Sequence, residues 1–216
     1  MKNFADIQKL AEHDLNERFQ TSIYENIKIG YDSFLQFINE NKDFITFWDK
    51  EKTVLGYLRS LSIEKALDMA SYLTFSPYKC DLIEVNKYKY KALCLETDNF
   101  LLNICRTQKK SQFPPKSNYR LKFSHQNEPY DMQQTMFDDE NLTSDKLYAI
   151  ITYNFLHDDL SHAEIMIPKK DFTGLLYHIN ILDRVKDKPL IIPEEEKEKQ
   201  IITLKKELSK KLKLLK

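Results

Sequence analysis

The hydrophobic pattern of the chain changes at Pro77, and this change limits the fold more than any other feature of the sequence. Before Pro77, apolar residues recur at spacings of three and four, which place them on one face of a helix. The first such series is Phe4, Ile7, Ala11, Leu15 and Phe19. After Pro77 the apolar residues form short runs rich in Leu, Ile, Val, Tyr and Cys, which are typical of strands. The sequence therefore predicts an α+β protein.

The two kinds of pattern also predict where the elements lie. Helical spacing covers residues 4–19, 27–48 and 54–73, and later residues 171–182 and the stretch from 194 onward. Strand-like runs predict antiparallel strands at residues 81–85, 89–96 and 99–106, and a hairpin of residues 147–155 and 163–168 joined by a loop at 156–162. Residues 107–145 are polar, contain Pro114, Pro115 and Pro129, and predict a long loop with room for short elements.

These elements suggest three consecutive portions of the chain. Residues 1–76 form a helical portion, residues 77–192 an antiparallel β-rich α+β portion, and residues 193–216 a charged amphipathic helix. We expect the helical N-terminal portion to pack on a hairpin-built sheet that the C-terminal helix closes.

Composition excludes several classes of function. Lys and Arg together number 33, as do Asp and Glu, so any binding to nucleic acid or an anionic membrane requires a local patch. The three glycines, Gly30, Gly56 and Gly174, are too dispersed for a phosphate-cradling loop, and no GxSxG or HExxH motif occurs. No apolar run approaches the roughly 20 residues of a membrane-spanning helix. We therefore expect no cofactor and no membrane partner.

The cysteines and the amino-acid composition indicate a cellular compartment and a type of source organism. Cys80, Cys94 and Cys105 lie in apolar segments without a CxxC pair, which predicts buried thiols in a reducing, cytoplasmic compartment. The acids near the N-terminus are unlike a signal peptide. Few arginines and many Lys, Asn, Ile, Tyr and Phe residues are typical of AT-rich coding sequence, which indicates a low-GC bacterium or one of its phages or plasmids.

Residues 106–122, called the basic segment below, combine cations with aromatic rings. Cations can contact phosphates and rings can stack on bases, as single-strand binding requires. The candidate nucleic-acid-binding residues are Arg106, Lys109, Lys110, Lys116, Tyr119, Arg120 and Lys122. The alternative is a solvated loop whose aromatic residues, such as Phe113 and Phe123, anchor it to the sheet.

Acidic residues at strand ends suggest a second function. Asp81, Glu96 and Asp98 could surround a divalent metal, an arrangement that resembles the acidic core of restriction-endonuclease-like folds. The resemblance covers about eighteen residues, and Asp98 stands where that core has a lysine. Turn-forming acids are the alternative explanation.

Histidines and acids in the hairpin loop offer a separate metal hypothesis. Imidazole and carboxylate are common zinc or manganese ligands, and the residues are His157, Asp158, Asp159 and His162. Polar residues are also ordinary in a hairpin loop. We therefore predict no metal site from them.

The terminal helix carries an apolar stripe opposite a lysine-rich face. The stripe consists of Ile201, Leu204, Leu208, Leu212 and Leu215. It must cover an apolar surface, which is either its own domain, a second copy or another protein. We interpret it as a candidate partner-binding surface because Pro193 separates it from the preceding chain.

The absence of enzyme signatures favours a non-catalytic binding or regulatory protein, from a mobile genetic element, with a protein partner. The alternatives are a metal-dependent nuclease that uses Asp81, Glu96 and Asp98, and a nucleic-acid-binding protein that uses the basic segment.

Overall fold

A computed structural model describes residues 4–42, 51–85, 89, 91–130, 146–185 and 192–214. The chain divides into two compact units, each built from two separate stretches. The first, called the sheet unit, comprises Met1–Gln20 and Pro77–Asp187, and the second, called the helical unit, comprises Thr21–Ser76 and Lys188–Lys216. The units therefore cut across the three consecutive portions predicted from the sequence.

Among its described residues, the sheet unit contains a six-stranded sheet whose strands follow one another in sequence order. The strands are β1 (Lys79–Glu84), β2 (Lys91–Glu96), β3 (Phe100–Arg106), β4 (Leu147–Leu156), β5 (Asp159–Pro168) and β6 (Leu175–Asn180). All neighbours pair antiparallel except β3 and β4, which are parallel. The predicted α+β class with a mostly antiparallel sheet is confirmed. The parallel pair was not predicted, and it requires the long connection after β3 because parallel strands cannot be joined by a tight turn.

The hairpin of β4 and β5 is tighter than the sequence predicted. Two residues, His157 (φ 49°) and Asp158 (φ 67°), connect the strands. Positive φ at both central positions matches the twist of a two-residue hairpin, and Asp and His tolerate this conformation better than most residues. The predicted seven-residue loop is therefore wrong, and His162 belongs to a strand.

The predicted helix at residues 171–182 is also wrong. A short 3-10 helix (Lys170–Phe172) is followed by β6 and by a brief helix, α5 (Ile181–Val185). Pairing with β5 gives the backbone of β6 a ladder of hydrogen bonds, and this tertiary interaction outweighs local helical spacing.

Helical elements lie near both faces of the sheet. Tyr148 and Ile150 on one face pack with Leu121 and Phe123 of a short helix, α4 (Asn118–Ser124). That helix lies within the predicted long loop. Alternate residues of β4, β5 and β6, namely Ile151, Ile165 and Ile179, lie on the opposite face and are buried. Helix α1 (Phe4–Asp14) contacts β6 and buries its own apolar stripe.

Asp14, the last residue of α1, joins that helix to the turn between β2 and β3. Its carboxylate accepts hydrogen bonds from Thr97 Oγ1 and from the backbone N–H of Asn99, both at 2.7 Å. The Asn99 amide donates to the same carboxylate, and His13 Nδ1 lies 2.6 Å from it. Asn16 then begins the next helix, because its side-chain oxygen accepts the N–H of Phe19.

The helical unit contains most of α2 (Glu17–Glu40), together with α3 (Glu51–Ser71) and α6 (Glu194–Leu214). Ile29, Ala66 and Leu204, one from each helix, form a buried cluster. Leu208 and Leu212 are buried as well. The apolar stripe of the terminal helix is thus covered by its own chain within this unit. Ile201 packs beside the same cluster, and Leu215 lies outside the described residues.

Gly30 marks a close approach between α2 and α3. A Cβ at this position would lie 2.6 Å from Ile63 Cα, and Ser62 Oγ donates to the Gly30 carbonyl at 2.7 Å. We expect Gly30→Ala to lower the free energy of unfolding by about 1–3 kcal/mol, because overpacking outweighs the helix-propensity gain of about 1 kcal/mol. Urea denaturation followed by circular dichroism measures this change.

Gly56 of α3 is the matched control, since a Cβ there meets nothing within 4 Å. Gly56→Ala should raise stability by about 0.5–1 kcal/mol. A Gly30→Ala variant as stable as the Gly56→Ala variant would show that the helices do not require the close approach.

Candidate functional site

The basic segment is held against the sheet by its aromatic residues. Phe113 meets Phe172 edge to face, with ring centroids 5.2 Å apart, and the Phe123 ring lies 5.5 Å from that of Tyr148. Both phenylalanines belong to the apolar cluster on this face. These rings therefore anchor the segment, as the alternative sequence interpretation proposed, and are not offered for stacking on bases.

Cationic side chains of the segment point outward. The exposed cations are Arg106, Lys109, Lys110, Lys116 and Lys122. Arg106 donates to Asn154 Oδ1 at 2.8 Å, and none of these cations forms an ion pair with a carboxylate of the described residues. Arg120 differs, because it is half-buried, donates to the Pro115 carbonyl at 2.9 Å and stacks over the Tyr119 ring. Of the seven candidate residues, the five cations are thus exposed, whereas Arg120 and Tyr119 shape the segment.

A buried carboxylate secures the middle of the segment. The Glu164 side chain, on β5, is 0% exposed. Its Oε2 accepts the backbone N–H of Ser111 at 2.7 Å, and its Oε1 lies 3.0 Å from His178 Nε2. A buried charge needs such partners to offset its lost hydration. Ser111 itself has φ 54°, a left-handed conformation that is uncommon for a residue with a side chain.

His162 lies on the same face of β5, two residues before Glu164. It is buried, and its Nε2 lies 3.0 Å from Thr107 Oγ1 at the start of the segment. Burial lowers the pKa of His162, Glu164 opposes this effect, and the charge of Lys110 adds to it. A neutral imidazole that binds Thr107 is a second attachment of the segment to the sheet.

Sequence reasoning missed Glu164 and His178. A signal was present for Glu164, because His162 and Glu164 alternate with apolar residues in the part of β5 that is buried, residues 162–168. A polar residue at a buried strand position must find a partner. The partner could not be identified from the sequence, since Ser111 is distant in the chain and the strand β6 was predicted as a helix.

The histidines and acids of the hairpin-loop metal hypothesis do not come together. His157 and Asp158 form the hairpin turn, whereas His162 faces Thr107. Across the ranges that the structure describes, no group of three or more His, Cys, Asp or Glu residues is arranged to hold a metal ion.

Two acids of the nuclease hypothesis, Asp81 and Glu96, lie on the first two strands, and Asp98 lies in the turn between β2 and β3. Asp81 stands opposite Cys94, and its Oδ1 accepts the neighbouring N–H of Leu82. Glu96 is 2.8 Å from Lys146 Nζ. Each carboxylate therefore has a local structural contact, and neither forms the three-residue metal group that the hypothesis requires.

The chain matches no family model, no curated protein and no solved structure. In the described part of the chain, no helix combines the length and apolar character needed to cross a membrane.

Proposed function

We propose that the protein binds nucleic acid and that the basic segment contacts its phosphate backbone. The observation that carries the proposal is the set of five exposed cations on a stretch of chain fixed to the sheet at several points. The formal net charge of the protein is zero, so this attraction is local.

Attachment of the segment favours binding because it reduces the entropy lost on association. The segment is held to the sheet before any partner binds, through contacts of Phe113, Phe123, Ser111 and Thr107. A preorganised surface loses less conformational freedom than a free loop with the same charges.

Because its aromatic rings anchor the segment to the sheet, we expect the segment to contact phosphates and to recognise bases only weakly. The two phenylalanine rings are committed to the core, and Tyr119 packs with Phe123 and Arg120. Phosphate contacts position a strand without carrying sequence information. We therefore expect affinity with little sequence preference, as part of the broader class of binding proteins that the sequence predicts.

Removal of four lysines tests the proposal. Simultaneous Lys→Gln changes at Lys109, Lys110, Lys116 and Lys122 should weaken binding at every sequence tested, because fewer counterions are released on association. The magnitude of the slope of log affinity against log salt concentration should fall by about 3, because each lost phosphate contact contributes about 0.7–0.9 to that slope. Fluorescence anisotropy with labelled DNA and RNA oligonucleotides over a range of salt concentrations measures both quantities.

A matched variant controls for the loss of charge. Lys9, Lys79, Lys199 and Lys206 are also exposed, and the same four changes there remove equal charge from other elements. This control should keep most of the affinity and slope. Absent binding by the unmodified protein, or an equal loss in both variants, would refute the proposed role of the basic segment.

A further inference from the structure

The Glu164 carboxylate connects the basic segment to a partly exposed histidine, His178. Ser111 of the segment binds Oε2 of Glu164, and His178 of β6 binds Oε1. A single carboxylate group, with one hydrogen bond on each side, therefore lies between Ser111 and His178. Lys109 and Lys110, which directly precede Ser111, are exposed cations. An imidazole thus lies beside the surface proposed to hold phosphates.

The carboxylate sets the tautomer of His178. We assign the hydrogen of His178 to Nε2, the ring nitrogen that faces Glu164, because carboxylate oxygens act as hydrogen-bond acceptors. Nδ1 then keeps its lone pair, and it makes no hydrogen bond within the described residues. The His178 side chain is 29% exposed, in contrast to the fully buried Glu164. This is the arrangement of a general base that a buried acid orients.

Resting on the nucleic-acid binding proposed above, we propose that His178 is the general base of an RNA-cleaving activity and that Glu164 is its positioning residue. Nδ1 of His178 takes the proton of a ribose 2′-OH, and the 2′-oxygen attacks the adjacent phosphorus. The bond from phosphorus to the 5′-oxygen breaks, and that oxygen takes a proton from water. The products are a 2′,3′-cyclic phosphate and a 5′-hydroxyl end.

RNA is the substrate class because it carries its own nucleophile. One positioned base and nearby cations suffice for this reaction, since the attacking hydroxyl belongs to the substrate and the cations stabilise charge developing on the phosphate. Lys109 and Lys110 are the cations next to the shared carboxylate. The left-handed conformation of Ser111 places its N–H on Glu164, and strained backbone of this kind clusters at functional sites.

The expectation of a non-catalytic protein rested on the absence of known signatures. A histidine and a carboxylate on neighbouring strands leave no short sequence motif, because Glu164 and His178 meet only through the pairing of β5 with β6. An RNA-cleaving activity therefore goes beyond the non-catalytic function expected from the sequence.

The test uses the full chain and a labelled mixed-sequence RNA oligonucleotide, in buffer that contains EDTA. The unmodified protein should release fragments with 2′,3′-cyclic phosphate ends, which mass spectrometry identifies. His178→Gln should lower kcat by a factor of about 10²–10⁴, the usual contribution of a general base. Glu164→Gln should lower kcat with little change in KM, because the glutamine oxygen still accepts the Ser111 N–H and keeps the basic segment in place, whereas the contact that orients His178 is disturbed.

Controls separate cleavage from binding and from contamination. His125→Gln, which alters another partly exposed histidine, should cleave like the unmodified protein after the same purification. Binding of the 2′-deoxy oligonucleotide should be equal in the His178→Gln and unmodified proteins. Binding without cleavage, cleavage of the 2′-deoxy strand, or equal cleavage by His178→Gln would overturn this inference and leave the proposed binding intact. Loss of all binding would instead reject the proposed function.

Discussion

Replacement of Asp14 by alanine is expected to lower the free energy of unfolding by about 2–5 kcal/mol. The Asp14 side chain is 3% exposed and accepts hydrogen bonds from Thr97 and Asn99 across the β2–β3 turn. Hydrogen bonds to charged groups contribute about 1.5–3 kcal/mol each, although their contributions are not additive. Alanine removes the acceptor and leaves the two N–H donors of Asn99 and the Thr97 hydroxyl to find other partners. Urea denaturation at neutral pH measures the loss.

His13 provides the control for this substitution. It contacts the same carboxylate at 2.6 Å, but its side chain is 73% exposed. His13→Ala should change stability much less than Asp14→Ala, because most substitutions of exposed side chains have small effects. Equal effects of the two substitutions would show that the turn does not depend on the buried carboxylate.

The effect of Asp14 should diminish in acid. Burial acts to raise the pKa of Asp14, but the hydrogen bonds from His13, Thr97 and Asn99 outweigh it and hold the pKa below 3.8. A lowered pKa in the folded state gives stability that is present above the unfolded pKa and lost as pH falls through the folded pKa. The stability difference between the unmodified protein and Asp14→Asn should therefore shrink below about pH 4. A difference that stays constant in acid would contradict this linkage.

Removal of the Glu164 carboxylate is expected to have a comparable effect and to release the basic segment. Glu164→Ala leaves the Ser111 N–H and His178 Nε2 without their buried acceptor. A buried polar group left without its hydrogen-bond partner costs about 1–3 kcal/mol, so the loss of both contacts should cost about 2–5 kcal/mol. Trypsin should then cut after Lys109 and Lys110 faster than in the unmodified protein, because Ser111 no longer fixes this part of the segment.

Glu96→Ala is the matched control, since it removes a carboxylate from an exposed ion pair with Lys146. That change should cost no more than about 1 kcal/mol. Glu164→Gln keeps an oxygen acceptor for Ser111 and should be cut more slowly than Glu164→Ala. Unchanged proteolysis in both Glu164 variants would show that the aromatic anchors suffice to hold the segment.

The spacing of apolar residues predicted those elements in which the apolar residues are also the buried ones. The apolar stripe of α1 and the apolar runs of β4 and β5 were readable because each element buries one or both faces along most of its length. Strand β6 was not readable, since its strand conformation depends on pairing with β5. Likewise, the leucines of α6 require an apolar cover, and their spacing could not say that α2 and α3 supply it.

The candidate site shows the same division. Exposed cations follow directly from residue type, so Lys109, Lys110, Lys116 and Lys122 were identifiable from the sequence. The role of Phe113 and Phe123 depended on whether a core lay beneath them, which composition could not decide. Glu164 and His178 required knowledge of strand register, because two strands place them together.

The contact between α1 and β6 has a consequence for synthesis on the ribosome. Helix α1 is translated early, whereas β6 begins at Leu175. At translation rates of about 5–20 residues per second, the intervening chain takes roughly 8–30 seconds to appear. During that time the apolar stripe of α1, including Ile7 and Ala11, has no completed sheet to cover it. The nascent chain is therefore expected to engage chaperones through its first helix until β6 has emerged.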